Sequence, residues 1–122
     1  MGSHPINLAI RFLLEVTGLV ALAWVGWQYG KGSYRYVLAI GFPLIAAVLW
    51  GVFAVPDDPS RSGDAVVAIP GILRLILELA FFAAAAWSII AVGTATMGWV
   101  YAVAVIVHYI VSVDRVLWLI QQ

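Results

Sequence analysis

The stretch AIRFLLEVTGLVALAWVGWQYG (Ala9 to Gly30) is apolar almost throughout, yet it carries Arg11 and Glu15 one helical turn apart. Its length decides the fold: about 20 mostly apolar residues are what a membrane-crossing helix needs. Its two charges decide where to look for a site. On the insertion scale a charged residue at the helix centre costs about 2.5–3.5 kcal/mol, while each Leu, Ile, Phe or Val contributes about −0.3 to −0.6 kcal/mol. About ten such residues in this span supply about 3–6 kcal/mol. Arg and Glu together can cancel that, so the pair needs partners.

The whole chain resembles this stretch. Of 122 residues, 65% are hydrophobic and 10% are charged, against about a quarter charged in a soluble domain. The formal net charge is zero, which gives no footprint for nucleic acid. The absence of cysteine excludes disulfides, thiolate chemistry and cysteine metal sites. The length allows one domain, placed at 5–122. The opening MGSH, residues 1–4, reads as a tag remnant and is set aside.

Four segments are long and apolar enough to span: about 6–29, 34–55, 66–92 and 95–120. The turn residues GKGS at 30–33, a polar loop at 56–65 and GTATMG at 93–98 separate them. In lipid the backbone must satisfy itself, so the spans are expected to be helices. The expected fold is an all-α membrane protein, four transmembrane helices in a bundle. Trp24, Trp27, Trp87 and Trp99 fall near one interface and Trp50 and Trp118 near the other, as amphipathic rings prefer. Pro43 lies inside the second span, where it is read as a kink.

Shifting the sequence by 63 residues lays the first span on the third: Arg11 meets Arg74, Glu15 meets Glu78 and Trp24 meets Trp87. This suggests a duplicated helical hairpin, a parallel repeat whose copies start on the same side of the membrane. Arg before Glu by four is the less favourable local orientation, and a cation in an early turn opposes the helix dipole. Pairing between helices suits these charges better. Crossed pairs, Arg11 with Glu78 and Arg74 with Glu15, are expected.

The fourth span returns to the same side. Its Tyr101, His108, Ser112 and Arg115 recur at intervals of seven, four and three, which puts them on one stripe. The candidate polar cluster is therefore Arg11, Glu15, Arg74, Glu78, His108, Ser112 and Arg115, with Asp114 beside it. Ionisable residues inside a membrane commonly mark ion, proton or solute paths. The same residues also suit a balanced salt-bridge network that fixes helix register. A metal site of His108 with both glutamates is disfavoured, because the arginines already neutralise the carboxylates. An anion held by arginines fits better. Each carboxylate has an Arg in reach and stays ionised, which disfavours a general acid. No catalytic residue, metal or cofactor is assigned, and no phosphate loop or dinucleotide fingerprint is present.

RFLLE (Arg11 to Glu15) and HYIVSVDRVLWLI (His108 to Ile120) resemble the YrdB-like family of small bacterial membrane proteins. The resemblance covers nearly the whole chain. It implies four transmembrane helices, a bacterial inner-membrane location and no established activity, so no catalytic residues are carried over.

Lys31 and Arg35 flank one side, and Arg61 with Arg11, Arg74 and Arg115 the other, which places both termini in the cytoplasm. Gly26 and Gly30 form a G-x-x-x-G contact motif, and a homodimer would enlarge any site. The first expectation for function is binding or transport of a small anionic or ionic solute through the cluster, with the lipid bilayer as the other partner. The alternatives are a non-catalytic membrane scaffold or accessory subunit, and a small membrane enzyme on a lipid-soluble substrate. Enzyme activity is the least supported.

Overall fold

The computed structural model describes residues 4–58 and 66–122. Most of the polar loop, Arg61 included, and the first three residues of the tag-like start lie outside that range. The described chain is helical apart from one two-residue strand pair. Helix α1 runs Pro5–Tyr29, α2 Tyr34–Val52, α3 Gly71–Val92, α4 Ala95–Val111 and α5 Val113–Gln121. Three of these (α1, α2 and α3) are each long and apolar enough to cross a membrane, and α4 with α5 make a fourth only if counted as one bent span.

Local chemistry explains the ends. Pro5 opens α1 where its missing N–H costs nothing. His4 accepts the Ile6 amide through its ring nitrogen at 3.2 Å. Thr94 caps α4 by accepting from the Met97 amide at 3.1 Å. The expected second and third spans are trimmed by the loop between them. Residues Phe53–Ala54 leave α2 and pair in parallel with Val67–Ala68, and α3 starts only after Pro70. Pro56 then turns the chain. Asp57 has φ 65° and the Asp58 amide donates to the Val55 carbonyl at 3.3 Å. With Pro at the first central position this is a type II turn, and it points Asp58 inward, where it is buried.

The expected continuous fourth span is broken. At Ser112 the helix axis turns by 70°. The Ser112 amide still closes α4 on the His108 carbonyl, while the Ser112 carbonyl accepts the amides of Arg115 and Val116 and so opens α5.

Three buried stripes hold the helices together. In α1 they are Asn7, Arg11, Leu14, Gly18, Ala21 and Val25. In α3 the stripe is Gly71, Arg74, Glu78, Phe81, Ala85 and Ser88, with Phe82 and Ile89 beside it. In α4 and α5 it is Gly98, Tyr101, Val105, His108, Ser112, Arg115 and Leu119. Each alternates steps of three and four, the spacing of a narrow helix–helix seam. The contacts along them set direction. Arg11 meets Glu78 and, one or two turns on, Gly18 meets Phe81, so α1 and α3 run side by side the same way. Tyr101 meets Leu14 and His108 meets Asn7, so α4 runs against α1.

The core above the charges is apolar: Leu14, Ala21, Phe81, Phe82, Ala85, Ile89, Tyr101 and Val105. Helix α2 buries no residue and lies against α1. The G-x-x-x-G motif serves this contact within the chain. A Cβ on Gly26 would overlap the Leu38 backbone, and one on Gly30 would meet the Arg35 backbone.

Candidate functional site

The polar residues of three stripes converge at one end of the helices. Glu78 is the node, with 0% of its surface exposed. Its Oε2 accepts from Arg74 Nε at 2.8 Å and from Arg115 Nη2 at 2.7 Å. Its Oε1 accepts from Arg115 Nη1 at 2.9 Å and from the Tyr109 hydroxyl at 2.8 Å. Arg11 Nη2 adds an ion pair at 3.1 Å. A buried carboxylate is stabilised only when its lone pairs are met in this way.

Each arginine also fastens another element. Arg115 donates through Nε and Nη2 to the two oxygens of Asp58, at 2.9 and 2.6 Å. The guanidinium thus bridges two carboxylates with a planar fork and ties the turn after β1 to α5. Arg74 Nη1 donates to the carbonyls of Trp50 and Phe53, at 2.6 and 2.7 Å, satisfying acceptors that the end of α2 leaves open. The Trp50 ring lies under two cations, 4.5 Å from Arg74 and 5.2 Å from Arg11.

A second, uncharged branch adjoins the node. Asn7 Nδ2 donates to Ser112 Oγ at 2.7 Å, and His108 Nδ1 lies 3.1 Å from Asn7 Oδ1. With the Asn7 amide nitrogen spent on Ser112, its oxygen is the acceptor and His108 Nδ1 is the donor. His108 Nε2 then keeps its lone pair. That atom is buried and unbonded, as are Arg11 Nη1 and Nη2 in hydrogen-bond terms. Arg11 lies one turn from Asn7 on the same stripe, between the two points where α4 touches α1.

The structure brings together Arg11, Arg74, Glu78, His108, Ser112 and Arg115, all buried. Glu15 sits at the edge, with its side chain 24% exposed, and pairs with Arg11 on its own helix at 3.1 Å. Of the two crossed pairs expected, Arg11–Glu78 forms. Arg74 instead bonds Glu78 of its own helix and the end of α2, because the α3 stripe turns Glu78 inward while the α1 stripe leaves Glu15 at its margin. Asp114 is not part of the buried set. It lies exposed in the first turn of α5, and Asp58 takes the balancing place expected of it.

Asp58, Asn7 and Tyr109 were not legible as cluster members. For Asn7 a signal existed: it precedes Arg11 by four on the same face. Tyr109 is adjacent to the stripe residue His108 but off the stripe. Nothing local to Asp58 points to Arg115, because 57 residues separate them.

Long apolar helices closing on a shared internal charge node define a class of small helical membrane-like protein, and the comparisons agree. The chain belongs to the family described as "Protein of unknown function (DUF2568)", whose model matches residues 9–106. It is 40% identical over 116 residues to "Uncharacterized protein YrdB" of Bacillus subtilis (strain 168), covering 95% of this chain and 94% of that protein. The resemblance carried by RFLLE and HYIVSVDRVLWLI therefore holds. No solved structure matches the chain.

Proposed function

We propose that this is an integral membrane protein that binds a small polar or anionic group at the Arg11–His108 edge of its charge cluster. One observation carries the reading. Glu78, Arg74 and Arg115 are saturated by protein groups, while Arg11 Nη1 and His108 Nε2 are buried donors and acceptors with no hydrogen bond. Buried polar atoms left unmet cost free energy that a ligand or an ordered water recovers. The reading is binding rather than passage, because the layer above the cluster is packed aromatic and aliphatic: Trp50, Phe81, Phe82 and Tyr101 touch ring to ring.

The finer architecture belongs to the same proposal. Four crossings, a duplicated hairpin and an inner-membrane location with cytoplasmic termini fit the common direction of α1 and α3. Gly18 facing Phe81 keeps the 63-residue offset. A homodimer through α2, which buries nothing within the chain, is compatible with this arrangement.

A second reading is favoured by the saturation of Glu78 itself: the cluster locks helices together in a scaffold or accessory subunit. The experiment is a thermal-shift screen of purified protein against small anions, carboxylates and polar metabolites, repeated on His108→Gln. A compound that raises the Tm of the wild type but not of His108→Gln supports binding. No shift by any compound, with equal destabilisation by every charge substitution, supports the scaffold.

A further inference from the structure

Above the Arg11–His108 edge the seam between α1 and α4 opens into a groove of about 470 Å³. Its walls include Val20, Trp24, Met97, Val100, Tyr101 and Ala104. The groove ends at Ala104, one helical turn before His108 on α4, and at Thr17, less than two turns beyond Arg11 on α1. Tyr101 joins the two regions. It lines the groove, and its hydroxyl donates to the Leu14 carbonyl at 2.8 Å, on the stripe that carries Arg11. An apolar channel therefore leads to a buried donor, the Arg11 guanidinium, and a buried acceptor, His108 Nε2, neither with a hydrogen bond.

We infer that the groove and this polar edge form one site for a single-chain amphiphile with a carboxyl head. This rests on the binding reading above and names its ligand class. Two chemical requirements select the occupant. The wall is apolar along its length, so the body must be a hydrocarbon chain. The head must accept from Arg11 and share a proton with His108 Nε2, whose lone pair is fixed by the Asn7 contact. A carboxyl group does both: one oxygen accepts from the guanidinium, and the other oxygen and Nε2 share a single proton. From the Arg11 level to Trp24 there are thirteen residues along α1, about 20 Å of helix, the reach of an extended sixteen-carbon chain. An ester head has no proton to give, and a short acid leaves the groove empty.

The test uses the full chain in phosphatidylcholine nanodiscs with palmitic acid labelled with ¹³C at the carboxyl. The expected result is a distinct bound carboxyl resonance that saturates at one per chain, together with a raised Tm. Methyl palmitate is expected to give no Tm rise, and butyric acid to bind at least about tenfold more weakly than palmitic acid. Ala104→Trp fills the groove at an exposed position, so the ligand-free protein should keep its Tm while palmitic acid affinity falls about tenfold. His108→Gln should abolish the bound resonance. Unchanged palmitic acid binding in Ala104→Trp, or equal binding of methyl palmitate, overturns the proposal. Butyric acid binding as tightly as palmitic acid, and lost in His108→Gln, overturns the groove but leaves the polar-site reading standing. Failure of both acids removes the two together.

Discussion

Helices α1 and α3 each carry an Arg followed four residues later by a Glu, and each buries its Arg: Arg11 is 5% exposed and Arg74 is 3%. Their glutamates fare differently. Glu78 is fully enclosed and collects two arginines, a tyrosine and the Arg11 ion pair, while Glu15 keeps one partner and a quarter of its side-chain surface. The difference comes from the phase of the buried stripe. In α1 the step after Arg11 is three residues, so Leu14 turns inward. In α3 the step after Arg74 is four, so Glu78 does. Equal spacing in the sequence thus yields one central acid and one marginal acid.

This contrast can be broken by matched substitutions, and the largest effect belongs to Glu78. Glu78→Gln leaves Arg11, Arg74 and Arg115 without their shared anion. Removing one partner of a buried pair typically costs about 3–5 kcal/mol, which should appear as a large loss of stability in reversible denaturation in mixed micelles. A cost no greater than that of Glu15→Gln would mean that Glu78 is not the node.

An intermediate effect is expected at Asp58. Asp58→Asn removes one of the two acids bridged by Arg115 but leaves the other, so a cost of about 1.5–3 kcal/mol, the range for hydrogen bonds to charged groups, is expected. Because Asp58 ties the turn after β1 to α5, α5 should also loosen, which the emission of Trp118 would report against a background variant lacking the other tryptophans.

The smallest effect sharpens the other half of the contrast. Glu15→Gln breaks one partly exposed i,i+4 pair, and such pairs are worth under about 1 kcal/mol. A measured loss of several kcal/mol would show that Glu15 has moved inward and that the two helices are equivalent after all.

Much of this was legible before any coordinates. Length and apolarity mark the helices, and the seven-four-three spacing of Tyr101, His108, Ser112 and Arg115 survives in the buried stripe. The registration of Arg11 with Arg74 foretold that α1 and α3 run the same way. The phase of each stripe was not legible, because residues three and four along a helix are both acceptable neighbours of one face. The bend at Ser112 was hidden for another reason. Residues 95–120 are uniformly apolar enough to span, and only long-range contacts, Asn7 on Ser112 and Glu78 with Asp58 on Arg115, redirect the last turns. Asp58 joins the cluster through a loop whose closure depends on Pro56 and the positive φ of Asp57, and no helix periodicity reaches it.

The central claim, that the first and third helices share one acid across their seam, is tested most directly by a double-mutant cycle on Arg11→Gln and Glu78→Gln. If these two groups meet as the 3.1 Å pair indicates, the double variant should be more stable than the sum of the single losses implies, with a coupling of at least about 1 kcal/mol, within the range for contacting residues. Strictly additive losses would contradict it.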